Sequence, residues 1–168
     1  MDKKKYLALK EVSVGYDGVS VLKDISFDLY SGELICLLGA NGKGKSTLLK
    51  TLMGILPRIS GEILLKGKDL EAFSVEEKAK EMAVVLTDSL RDVTMKAKDV
   101  VATGRYPYLS WNAKFKQEDE VIIKASLSKV GALEYVDRWM SGLSDGERQR
   151  VILARALAQE TDVLLLDE

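Results

Sequence analysis

Apolar and polar positions alternate through the first part of the chain. Leu7, Ala8 and Leu9, then Glu11, Val12, Ser13 and Val14, then Val21 and Leu22, then residues 25–29, read as short strands. Alternation with β-branched residues suits the half-buried face of a sheet. Ser31 and Gly32 mark a turn, and residues 33–38 are nearly all apolar, which predicts a parallel strand covered on both faces. The period then lengthens. Leu48, Leu49, Leu52 and Met53 lie three and four apart and predict a helix that Gly54 and Pro57 stop. Residues 61–67 form a strand between glycines. Ser74 and Glu77 make a capping box for a helix to about Met82, and Ala83, Val84, Val85 and Leu86 read as a short buried strand.

Residues 88–140 change character: polar, mostly helical, with a turn at 105–108 and a stripe from Val121, Ile122, Ile123, Leu127 and Val130. Residues 147–158 then predict a helix and residues 163–166 a buried strand. Strand, helix and strand in that order argue for an α/β core with a parallel sheet, into which the polar segment is inserted as a helical subdomain.

Composition narrows this little. A chain of 168 residues suits one domain, and 46% hydrophobic with 30% charged residues is ordinary for a globular protein. The net charge of −1 gives no basic field, so no nucleic-acid partner is expected. No apolar run approaches the roughly 20 residues of a spanning helix, and the lysine-rich N-terminus lacks the apolar stretch of a signal peptide. The chain is expected to be cytosolic, or peripheral to a membrane through a partner. Cys36 is the only cysteine, so no intrachain disulfide forms; within its apolar run it is expected to be buried.

The candidate chemistry is local. Gly39, Ala40, Asn41, Gly42, Lys43, Gly44, Lys45 and Ser46 match the phosphate loop G-x-x-x-x-G-K-[ST]. Its glycines let backbone N–H groups curl around phosphate oxygens, and the following helix aims its positive end at the same anion. Lys45 is placed to reach the β- and γ-phosphates and Ser46 to hold Mg²⁺. At the far end, Asp167 and Glu168 follow an apolar strand. Asp167 can bind Mg²⁺ at the strand's C-terminal edge, and Glu168 can polarise an attacking water as general base. Between them, Ser144 and Glu147 frame a capping box, and a capped helix start after a glycine turn is also an anion site.

Leu143, Ser144, Asp145, Gly146 and Glu147 resemble the signature motif of ABC transporter ATPases, and the order of loop, signature and acidic strand matches that family. The resemblance covers the whole chain. It implies a P-loop NTPase (RecA-like) core with an N-terminal antiparallel β subdomain and an inserted α-helical subdomain. Residues 1–87 would be the β subdomain and the first part of the nucleotide-binding core, 88–142 the helical subdomain, and 143–168 the signature helix and Walker B strand. Tyr16 falls where the family stacks adenine. The family's head-to-tail dimer places each ATP between one subunit's loop, through Thr47, and the other's 143–147 turn. Residues 100–108 are similar to the helical subdomain of importers for iron–siderophore complexes, haem and cobalamin. Partners implied are a second ATPase subunit, an integral permease and, indirectly, a substrate-binding protein; location is the cytoplasmic face of the membrane. Tyr106, Tyr108 and Trp111 either pack the subdomain or face the groove for a permease helix. Open alternatives are an ATP-gated regulatory module without turnover and a non-transport ABC ATPase.

The sequence departs from the family pattern in four places. Thr87 stands where a Q-loop glutamine belongs, and its hydroxyl reaches less far toward Mg²⁺. Asp145 replaces the first signature glycine, and a carboxylate there repels a partner's γ-phosphate unless it points away or is paired. Lys43, inside the loop, either offsets Asp145 across the dimer or is simply solvated. The chain has no histidine, whereas the family continues beyond Walker B to a switch histidine. The chain therefore reads as truncated after the Walker B strand, and these residues alone are expected to hydrolyse ATP negligibly.

Overall fold

In the computed structural model, residues 3–86, 93–109 and 114–167 are described. They form two units, Met1–Lys78 and Ala79–Glu168, each built on its own sheet.

The first unit is an antiparallel sheet in the order β2-β1-β3-β4, made of β1 (Lys5–Tyr16), β2 (Val19–Tyr30), β3 (Ser60–Leu65) and β4 (Lys68–Asp69). Leu7, Leu9, Val12, Val14, Ile63 and Leu65 are buried, as are Leu48 and Leu52 of α1 (Lys45–Leu52), which packs on β1. The short strands read from the sequence join into two long ones. Their breaks are bulges at Glu11 and Asp24, which hold positive φ of 50° and 55°. The Glu11 N–H donates to Ser26 Oγ at 2.9 Å and the Asp24 N–H to Ser13 Oγ at 3.4 Å, so the bulges keep bonded donors without ending the strand.

Residues 33–38 are not a strand. Leu34 and Leu38 stand 83% and 93% exposed, and Cys36 is exposed rather than buried. A parallel strand exists only through a ladder, and among the described residues nothing pairs with this run. Its composition alone leaves it without regular structure, leading into the phosphate loop.

α2 (Val75–Glu81) spans the boundary at Lys78 and ends at β5 (Met82–Val85), which in the second unit pairs in parallel with β6 (Val163–Leu166) from Met82↔Val163 to Val85↔Leu166. The helix is capped as predicted: the Ser74 N–H donates to Glu77 Oε2 at 2.7 Å and the Glu77 N–H to Ser74 Oγ at 3.1 Å. Between the strands run α3 (Ala97–Ala102), a 3₁₀ turn at Thr103–Tyr108, α4 (Gln117–Lys129) and α5 (Asp145–Ala158). Val100, Val101, Leu127, Met140, Val151 and Ala154 form their common core. Of the predicted stripe, Ile123 and Leu127 are buried and Ile122 and Val130 pack against the same core, while Val121 is exposed. Only alternate residues of β6 are buried, Val163 and Leu165, because nothing among the described residues covers its other face.

Candidate nucleotide-binding site

The phosphate loop leads straight into α1. Gly44 is the N-cap, with φ of 88° and no side-chain cap, and no acid lies in the first turn. Gly44 thus adds no side chain of its own to the helix start, whose dipole turns its positive end toward the loop. Gly44 is obligatory on two counts. Its φ is left-handed, and a Cβ there would lie 2.8 Å from Leu22 Cγ and 2.9 Å from Val21 Cγ1. Lys45 folds back on the loop, its Nζ donating to Gly39 O at 2.7 Å and Ala40 O at 3.0 Å. Both acceptors are neutral, so a phosphate oxygen is the stronger partner for the same ammonium. Ala40, Asn41, Gly42, Lys43 and Ser46 are exposed. Thr47 is buried and its Oγ1 donates to the Tyr16 hydroxyl at 3.5 Å, which ties Tyr16 to the start of α1 while leaving it 46% exposed.

The signature turn opens α5 differently. Ser144 is the N-cap, with its N–H and Oγ donating to Glu147 Oε2 at 2.7 and 2.8 Å and its Oγ accepting the Glu147 N–H at 3.4 Å. Two arginines brace the turn. Arg138 donates to Gly142 O at 2.9 Å and Glu147 Oε1 at 3.2 Å. Arg148 donates to Leu143 O and to Asp145 Oδ1, each at 2.5 Å, and to Met140 O at 3.4 Å. The Ser144 N–H and hydroxyl, then Arg138, hold the Glu147 carboxyl below its ordinary value against the opposing effect of desolvation. Leu143 is buried beneath the turn.

The other end of α5 is also fastened. The buried Arg105 donates from Nε to Asp119 Oδ1 at 2.9 Å, and from Nη1 to Ala158 O at 2.8 Å and Glu160 Oε2 at 2.9 Å. A cation on the last carbonyls of a helix satisfies both their lone pairs and the helix dipole. Burial raises the Asp119 carboxyl, but the Lys116 N–H and Arg105 outweigh it and hold the carboxyl low. Gly104 permits the approach, since a Cβ there would lie 2.3 Å from Arg155 O. The Tyr108 ring lies against the Arg105 guanidinium at 4.3 Å and its hydroxyl donates to Gln159 O at 2.7 Å. Tyr106 stacks on Phe115 with centroids 6.2 Å apart, and both are exposed.

At the end of β6, the Asp167 N–H donates to Val85 O at 3.0 Å and the residue is half-buried. Ser46 hydroxyl and Asp167 carboxylate are hard oxygen donors, the chemistry Mg²⁺ takes. Thr87, Trp111 and Glu168 lie outside the described residues.

Arg105, Arg138 and Arg148 belong to no motif. For Arg148 a signal existed, since an acid and a base three apart on a helix face each other. For Arg138 and Arg105 none did, because their partners come from other elements.

A family model described as ABC transporter matches residues 22–168. The chain is 41% identical over 161 residues to the manganese transport system ATP-binding protein of Bacillus subtilis, covering 95% of this chain and 63% of that one. It is 36% identical over 162 residues to the iron(3+)-hydroxamate import ATP-binding protein of the same organism, covering 96% and 60%. It thus spans about 60% of the length of these curated relatives. Among solved structures, cbiO1 of Clostridium perfringens, part of the ABC transporter complex cbiONQ, matches with TM-score 0.84 and 28% identity over 99% of this chain and 66% of that one.

Proposed function

The chain belongs to the ABC transporter family, with the ABC ATPase fold, and from that we propose that it is the ATP-binding and ATP-hydrolysing subunit of an ABC importer for an iron–siderophore complex, haem or cobalamin. ATP sits on the 39–47 loop, with Lys45 on its phosphates and Tyr16 against adenine. Ser46 and Asp167 hold Mg²⁺, with Thr87 in the position of the family's glutamine, and Glu168 acts as general base. The turn of Leu143, Ser144, Asp145, Gly146 and Glu147 serves the ATP bound by a second copy, so the working form is a head-to-tail dimer. Closing and reopening that dimer drives an integral permease fed by a binding protein, at the cytoplasmic face of the membrane. No helix among the described residues is long and apolar enough to cross a membrane itself.

The observation that carries this reading is a full phosphate loop that runs through Gly44 into α1 with Lys45 folded over it, in a chain that also carries a signature turn. The hydroxamate-importer relative supports the iron cargo. The manganese relative, at 41% identity, supports a second reading in which the cargo is the free metal ion. The exposed Tyr106 and Phe115 pair with Tyr108 supports a permease-facing surface.

Deleting the gene and following uptake of ferric hydroxamate, haem, cobalamin and Mn²⁺ separates these cargoes. Loss of one uptake, restored by the wild-type gene and not by Lys45→Ala, is the expected result. Unchanged uptake of all four would remove the importer reading and leave ATP binding as a regulatory or non-transport activity.

A further inference from the structure

Asp145 presents a conflict that the signature turn has to resolve. An acid in the first turn of α5 stabilises that helix end through its dipole. The same charge repels a phosphate brought to the turn by a second copy. We propose that Arg148 is the positioning residue that resolves it: by neutralising Asp145 within the same helix, it keeps the turn open to ATP held by the partner copy. This rests on the reading above that two copies close around ATP.

The geometry separates the roles of the two side chains. Arg148 is 18% exposed, and one side of its guanidinium is spent on the Leu143 and Met140 carbonyls of the turn itself. Asp145 is 75% exposed and is met by the other nitrogen, Nη2, at 2.5 Å. The arginine is therefore ordered whether or not the acid is present, and the pair forms without the usual entropy loss of two long exposed chains. Spacing of three residues on a helix brings both to one face. Arg138 does the same for Glu147, so the turn's two acids, Asp145 and Glu147, face two arginines and present no net charge. The counter-charge thus comes from the turn's own chain. Lys43, considered from the sequence as a cross-dimer partner, is not needed for it.

The test is a double-mutant cycle on the encoded subunit, with Arg148→Ala and Asp145→Asn alone and together. The readout is association by sedimentation with Mg²⁺ and a non-hydrolysable ATP analogue, at low and high salt. In the wild-type background, Arg148→Ala is expected to weaken nucleotide-driven association about tenfold. In the Asp145→Asn background the same change should cost less than about twofold, since the charge it answers is gone. Equal losses in both backgrounds would overturn the proposal and leave Arg148 as a structural brace for the Leu143 carbonyl. Should Arg148→Ala alone fail to fold, a doubly substituted protein that folds and associates like Asp145→Asn carries the same conclusion, and one that stays unfolded removes it. Wild-type protein that binds the analogue yet never associates would instead remove the dimer reading on which the proposal stands.

Discussion

α1 and α5 both begin after a glycine-containing turn, yet their first turns are opposites. α1 starts at Gly44 with no side-chain cap and no acid in its first turn. α5 starts at Ser144 with a complete capping box, two acids in its first turn and two arginines braced against it. A helix start leaves N–H groups that something must satisfy. At α1 the N-cap residue has no side chain to offer them, whereas at α5 the chain supplies much of the answer itself. The same backbone device is thus left without an N-cap side chain at one start and closed by side chains at the other. On the function proposed above, the first holds the phosphate and the second adds to an anion already held.

The contrast is sharpest where α5 is held at both ends, so removing Arg105 should have the largest effect. Arg105→Ala leaves Asp119 buried without its cation and uncaps Ala158 O, and breaking such a pair costs about 3–5 kcal/mol. Urea unfolding should show that loss in the unit that carries α5, while nucleotide binding at α1 is retained wherever the protein remains folded. A change under about 1 kcal/mol would mean that packing alone holds α5. Lys45→Ala is the reverse experiment. It removes only exposed bonds to loop carbonyls, so stability should stay within about 0.5 kcal/mol. ATP affinity should fall about 100-fold, because two charge-assisted bonds to phosphate go at once. Fluorescent-nucleotide titration beside thermal unfolding separates the two quantities.

What could be read from the sequence follows from the range of the interactions. The helix that follows residues 39–44, the two Ser-x-x-Glu boxes and the stop at Gly54 are written within a few residues, and each is found in place. The bulged strands β1 and β2 were legible as strands but not as continuous ones, since Ser13 and Ser26 reach their bulges across the sheet. Arg105 finds partners 14, 53 and 55 residues away, beyond any periodicity. Residues 33–38 fail for the opposite reason: strand composition was local and plain, but a strand needs a neighbour that composition does not name. Cys36 followed that run into solvent.

A smaller test removes half of the self-made cap. Ser144→Ala deletes the oxygen that accepts the Glu147 N–H and the hydroxyl that donates to its carboxylate. Loss of an N-cap serine typically costs about 1 kcal/mol. If α5's start is mainly a cap, the melting temperature should fall by a few degrees, as about 1 kcal/mol implies for a domain of this size. If it is mainly an anion site, stability should hold and only nucleotide-driven association should suffer.

The smallest expected effect is the most specific, because it turns on one proton. Glu147 is held below its ordinary value near 4.5, first by the Ser144 N–H and hydroxyl and then by Arg138. A carboxyl depressed in the folded state contributes stability that is fully present above its ordinary pKa and is lost as pH falls through the lower, folded value. Other carboxyls, among them Asp28, Asp69 and Asp119, are depressed too and titrate in the same acidic window. The wild-type acid curve is therefore uninformative by itself, and only a difference between two proteins isolates this group. Glu147→Gln is the right comparison, since a glutamine at that position still accepts the Ser144 N–H and keeps the box closed. At neutral pH the variant should be slightly less stable, having lost the charge that Arg138 and the helix dipole favour. As pH falls from about 4.5 through the lower, folded value the two proteins should converge, because protonation brings the wild type to the same neutral cap. Curves that stay parallel across that window would show that the Glu147 charge does not hold the turn, and that the start of α5 differs from that of α1 in its hydrogen bonds alone.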